Sequence, residues 1–190
     1  MFFLPVITLL QHLGVKFRFL CLSSGNYDGL GKVRIQELNS VARRLNAASC
    51  DLLENPKLRD GPHMWKALDV AEAVERYLSD HSKVDAIFTF DSYGVSGHPN
   101  HISTFKGIVS MQSKPPVYSL KSEPIWRKYI PVLDFAITFV DPYARLVAVN
   151  LKHPFESLSV MKLYGTQNVW FRKLFSVFSK YSYINEFVKL

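Results

Sequence analysis

The sequence predicts an α/β fold built on a mostly parallel sheet with helices on its faces, and three observations predict it. Helix-like and strand-like apolar patterns alternate along the chain, which favours parallel strands joined by crossover helices. The run Val84 to Phe90 (VDAIFTF) is nearly all apolar, as expected of a strand covered on both faces. Two turn-rich segments, 22–31 and 91–98, each follow a predicted strand directly, which places them together at the carboxyl edge, where such sheets bind ligands.

The elements follow in order. Phe2 to Leu13 carries apolar residues at helical spacing and stops at Gly14. Val15 to Leu22 is rich in strand formers and runs into SSGNYDGLG, a loop with three glycines. Lys32 to Ala47 is a helix, with Leu38, Val41, Ala42 and Leu45 at positions i, i+3, i+4 and i+7. A short strand and a loop containing Pro56, Gly61 and Pro62 lead to a second amphipathic helix, 66–80. After the strand 84–90, a third helix runs from Pro99 to about Ser113, and Pro115 and Pro116 separate it from a strand at Val117 to Leu120. Beyond Ser122 the pattern predicts strands at 133–140 and 145–149 and a short helix. It then gives an aromatic, basic tail, 169–190. On a helix, Trp170, Phe171, Leu174, Phe175, Phe178 and Tyr181 would share one side, with Arg172, Lys173, Ser176 and Lys180 on the other. That pattern suits either a membrane-surface amphipathic tail or a helix packed on the core.

Composition narrows the class. With 190 residues, 48% hydrophobic and 21% charged, the chain fits one globular domain (1–190) and excludes disorder and collagen-like architecture. Two cysteines, Cys21 and Cys50, exclude a disulfide scaffold and are expected as buried thiols of a reducing compartment. The net charge of +7 is scattered and no nucleic-acid recognition motif accompanies it, so no nucleic-acid partner is expected. No apolar run is long enough for a transmembrane helix: the opening MFFLPVITLLQHLGVKFRFLCL is interrupted by Gln11, His12, Lys16 and Arg18. That opening has no polar lead-in and no helix cap, so it resembles the middle of an element.

The sharpest chemical feature is Gly97-His98-Pro99-Asn100-His101. Proline favours the first helical turn, so His98 becomes the cap and His101 lies one turn in. The positive end of the helix opposes protonation, which keeps an imidazole neutral and able to bind metal. Asp91, at the preceding strand end, is placed to orient one ring. A catalytic zinc usually has three protein ligands, and His12, His63, His81 and His153 show no matching arrangement, so spacing alone leaves the site incomplete and a structural role for both histidines open. Arg34 and Glu37, one turn apart, are either a surface ion pair or a means of holding a hydroxylated ligand. Arg59-Asp60-Gly61 is a similar polar triplet in a loop.

Four pieces together carry a family resemblance: LCLSSGNYDGLGKVRIQEL (20–38), Arg59-Asp60 before Trp65, TFDSYGVSGHPNH (89–101) and VWFRKLF (169–175). The sequence resembles the GlcNAc-phosphatidylinositol de-N-acetylases, the PIG-L/LmbE-like zinc deacetylases of GPI-anchor biosynthesis. The resemblance implies a Rossmann-like fold whose first strand is missing here. It implies a Zn2+ cofactor, a GlcNAc-phosphatidylinositol substrate, a membrane surface as partner, and a place at the cytoplasmic face of the endoplasmic reticulum membrane. It implies His101 as metal ligand, His98 and Asp91 as catalytic residues, and Arg34, Asp60 and Asn26 as substrate-binding residues. It sets Tyr164 where the family often has a histidine. The family's AHPDDE run, which supplies two further zinc ligands and the catalytic base, is absent from these 190 residues, because Met1 falls where it would have ended. The expectation is an N-terminally truncated chain, inactive as written; the alternative is a non-catalytic, membrane-associated interaction module that keeps the fold.

Overall fold

The computed structural model describes residues 2–81, 83–130, 134, 136, 138, 146–150 and 155–190. Its elements are α1 (Leu4–His12), β1 (Arg18–Cys21), α2 (Gly31–Arg44), β2 (Ser49–Leu52), α3 (Ala67–Asp80), β3 (Ile87–Phe90), the single turn α4 (Gly94–Gly97), α5 (Pro99–Ser110), β4 (Val117–Leu120), α6 (Ile125–Lys128), β5 (Leu146–Val149), α7 (Glu156–Lys162), α8 (Trp170–Phe178) and β6 (Ile184–Lys189).

The first four strands pair in parallel, β1 with β2 and β3 with β4, the latter in register from Ile87 opposite Val117 to Phe90 opposite Leu120. Alternation along β3 divides the core. Ile87 and Val117 face α3 and α5, joining Trp65, Val70, Val74 and Ile108. Phe88, Phe90 and Leu120 face α1, joining Val6 and Phe187. Helices therefore cover both faces, as an all-apolar strand requires. α3 and α5 cross at Gly107, where an added Cβ would lie 2.3 Å from the Val70 side chain. α1 ends as expected at Gly14, which takes the left-handed conformation (φ 68°) while Val15 N donates back to Leu10 O.

The C-terminal third departs from expectation. Of the predicted strand 133–140 most lies outside the described residues, and its described members Asp134, Ala136 and Thr138 are helical. The tail is not one helix: α8 stops at Phe178, the Ser179 side chain accepts from Tyr181 N, and the chain continues into β6, which inserts antiparallel between β4 and β5. β6 is hidden in the sequence because its fully buried Asn185 and Glu186 interrupt the apolar pattern. Tertiary partners satisfy them: Val6 N donates to Asn185, Asn185 donates to Phe2 O, and Thr138, Arg127 and Lys180 donate to Glu186. Lys180, expected on the polar side of a tail helix, is buried and paired with Glu123, Asp134 and Glu186. Cys21 and Cys50 are free and only half-buried.

Candidate active site

The strands form two sheets, β1-β2 and β3-β4-β6-β5, and the carboxyl ends of β1, β2 and β3 deliver three loops that meet. After β1, the chain turns through Gly25 and Gly29, both at positive φ. Asn26 Oδ1 then accepts from Gly31 N at 2.8 Å, satisfying one of the free amides at the start of α2. Arg34, one turn into α2, donates to Asp28 Oδ2 at 2.6 Å and to Gly25 O. After β2, Trp65 pins the loop: its indole donates to Arg59 O at 2.7 Å and its amide to Ser103 Oγ on α5 at 2.9 Å.

Asp60 joins the three loops. One carboxylate oxygen lies 3.8 Å from Arg34 Nη1, and the other accepts from Asn100 Nδ2 at 2.9 Å. Asn100 is buried, between the two histidines in sequence. It sits inside the GHPNH motif, but its partner Asp60 is 40 residues away in the chain, so spacing alone gives it no role.

Hydrogen bonding sets the tautomer of each imidazole. His98 caps α5 as expected, its Nδ1 accepting from Asn100 N at 3.2 Å, so its proton resides on Nε2. His101 Nδ1 lies 3.1 Å from Gly94 O, which can only accept, so Nδ1 carries the proton and Nε2 keeps its lone pair. The His101 ring stacks on Phe90 at 3.9 Å, with Phe2 edge-on at 5.9 Å, and burial holds it below the usual imidazole range, hence neutral. The two imidazole centroids are 5.0 Å apart. Gly94 is required here: at φ 67°, an added Cβ would lie 2.7 Å from His101 Cβ.

Asp91 does not orient either ring. Its carboxylate accepts from Tyr93 N, Gly94 N, Ser122 N and Ser122 Oγ at 2.6 to 3.1 Å, so four donors engage it. It ties the β3 and β4 ends together and places the Gly94 carbonyl, which orients His101 instead. The adjoining Val95 is fully buried at φ 67°, held by Ser122 Oγ on its amide and Lys128 Nζ on its carbonyl.

Glu37 does not pair with Arg34. It accepts from Thr166 N and Oγ1, linking α2 to the 165–167 turn. Tyr164, beside that turn, has its phenol pushed up to about 12 by burial.

His101 Nε2 fits one metal-ligand position, with a backbone carbonyl on its other nitrogen as metal-binding histidines usually have. Among the described residues no three His, Cys, Asp or Glu side chains converge to complete such a site.

Residues 1–112, which include His98, His101, Asp60 and Arg34, match the family model PIG-L, GlcNAc-PI de-N-acetylase. The chain is 34% identical to a probable N-acetylglucosaminyl-phosphatidylinositol de-N-acetylase of Schizosaccharomyces pombe, over 95% of this chain and 78% of that protein. It is 30% identical to the N-acetylglucosaminyl-phosphatidylinositol de-N-acetylase of Bos taurus, over 97% of this chain and 76% of that one. In fold it is similar to an N,N'-diacetylchitobiose deacetylase from Pyrococcus horikoshii, with a TM-score of 0.68 at 15% identity, covering 98% of this chain and 77% of that one. The chain belongs to the PIG-L family of de-N-acetylases.

Proposed function

We propose that the substrate is the glycolipid GlcNAc-phosphatidylinositol and that the reaction is hydrolysis of its N-acetyl group to give GlcN-phosphatidylinositol, a step of GPI-anchor biosynthesis. The observation that carries this reading is the convergence of His98 and His101 with the Arg34–Asp60–Asn100 bridge where the loops after β1, β2 and β3 meet, inside the family-matched segment. His101 offers its Nε2 lone pair as one ligand to a zinc-type ion. When bound, such an ion supplies a polarised acetamide carbonyl and an activated water. His98 presents Nε2–H from an exposed cap, suited to donate toward the leaving amine. Arg34 and Asp60 form a charged, part-buried pair suited to sugar hydroxyls, and Asn26, its oxygen used by Gly31, keeps its NH2 group for another. Asp91 is a positioning residue in this reading. The proposed location is the cytoplasmic face of the endoplasmic reticulum, at the membrane surface where the glycolipid resides. No helix among the described residues is long and apolar enough to cross a membrane.

One of the usual three ligands is supplied by the described residues, so these 190 residues assayed alone should bind the glycolipid yet turn it over far more slowly than a complete ligand set. The test measures binding to mixed micelles of GlcNAc-phosphatidylinositol against phosphatidylinositol, together with acetate release with and without added zinc. Preference for the GlcNAc form by tenfold or more, lost in Asp60→Ala, is expected. Equal binding to the two lipids with no acetate released would overturn the reading.

A further inference from the structure

α8 is packed inside out for a helix exposed to water. Its inner side buries Ser176 completely, with no partner for the hydroxyl among the described residues, and half-buries Phe175. Its outer side holds Trp170 (72% exposed), Phe171, Leu174 and Phe178 in solvent. A neighbouring element also displays large apolar side chains: on α6, Ile125 is 76% and Trp126 58% exposed. Tyr129, just after α6, meets the ring of Phe175, on the inner side of α8, edge-on at 6.4 Å, so the two elements are neighbours. Large aromatic side chains displayed together in this way mark a surface that something apolar covers.

We propose that the outer faces of α8 and α6 dock onto an anionic lipid bilayer, lying in its interface and seating the active-site edge at the headgroups. This rests on the glycolipid reading above, and three further observations favour a bilayer as occupant. The first is charge: between Ser157 and Asn185 the chain has four cations (Lys162, Arg172, Lys173 and Lys180) and no acidic residue. Lys180 is buried, while Lys162, at the end of α7, and Lys173, on α8 itself, are exposed. A second copy meeting this face through a twofold axis would oppose these cations to themselves without an acid to pair them, whereas anionic headgroups complement them. The second is residue type: tryptophan, phenylalanine and leucine beside lysine and arginine is the composition of helices that lie in the plane of an interface. The third is position. The inner side of α8 reaches the site through Phe2: Phe175 lies against Phe2 at 5.5 Å and Phe2 against His101 at 5.9 Å. The bilayer-facing helix is thus one aromatic ring, Phe2, away from His101.

The three tryptophans make the test direct, because Trp126 and Trp170 lie on the surface in question and Trp65 is buried in the core. The full chain is mixed with vesicles of phosphatidylcholine and phosphatidylserine, free of any glycolipid, and with vesicles carrying brominated acyl chains. The expected result is co-sedimentation with the vesicles, a blue shift, and bromine quenching that is reduced in Trp126→Tyr and in Trp170→Tyr. The triple variant Trp170→Ser, Phe171→Ser, Leu174→Ser should lose at least tenfold in vesicle binding while keeping its thermal transition and its affinity for a water-soluble GlcNAc-inositol phosphate. Retention of that soluble ligand separates this proposal from the substrate assignment, since a wrong substrate would leave vesicle binding intact. Unquenched tryptophans in the wild-type chain, vesicle binding unchanged in the triple variant, or a wild-type dimer that the triple variant dissolves without any vesicle binding would each overturn it.

Discussion

The bridge from Asp60 to Asn100 determines whether the three loops form one site, and a double-mutant cycle tests it. Asp60 accepts a charge-assisted hydrogen bond from Asn100 at 2.9 Å, in a setting where Asn100 is 5% exposed. Such a bond contributes about 1.5–3 kcal/mol, and the Arg34 contact at 3.8 Å adds about 0–1 kcal/mol. Asp60→Ala should therefore destabilise by roughly 2–4 kcal/mol, which at a urea dependence of about 2 kcal/mol per molar lowers the unfolding midpoint by roughly 1–2 M. Asn100→Ala should cost less, because Asn100 Oδ1 is buried without a partner among the described residues and its removal relieves that burden. The double variant should be no worse than about the larger single loss, giving a coupling of roughly 1.5–3 kcal/mol. Urea denaturation followed by tryptophan fluorescence reads all four corners. Losses that add to within about 0.5 kcal/mol would refute the bridge as the link between loops.

Gly94→Ala should displace His101, since the new Cβ would lie 2.7 Å from His101 Cβ on a residue at φ 67°. Histidine NMR shifts should move for His101 more than for His63, with stability lowered by about 1–2 kcal/mol or more from backbone strain alone. Lys180→Met leaves Glu123, Asp134 and Glu186 buried with one cation fewer and should cost about 3–5 kcal/mol, or roughly 6–20 °C in calorimetric Tm at this chain length. The same cluster sets an acid limit. Burial raises the Asp134 and Glu186 carboxyls, but Arg127 and Lys180 around Asp134 and chiefly Lys180 at Glu186 outweigh it and hold both below the usual range. Their contribution is complete above the unfolded values, near pH 4, and is lost as pH falls through the lower folded values. Glu123, raised by burial, works oppositely and loses stability as pH rises through its folded value. A Tm profile from pH 7 to 3 should fall steeply only below about pH 4, and a flat profile would contradict the assignment.

Elements whose patterns are local are legible in the amino-acid order alone. The apolar run at β3, the amphipathic α2 and α3, the Gly14 stop and the Pro99 start all appear within two or three residues of expectation, because side-chain period, proline and glycine act over a few residues. It also placed His98 as the α5 cap, since a cap needs only its own turn. What it could not give depends on partners distant in the chain. β6 reads as broken because the groups that satisfy Asn185 and Glu186 come from residues as far away as Phe2 and Val6. Asp91 looked like an imidazole partner until four donors, two of them on Ser122, were brought to it. The tail's helical wheel grouped Trp170, Phe171, Leu174 and Phe178, which share the exposed side of α8, with Phe175 and Tyr181, which face inward. Only the packed structure decided that Lys180 turns inward to three carboxylates and that Trp170 turns outward, because charge pairing in the core is a property of the whole chain, whereas periodicity belongs to a single helix.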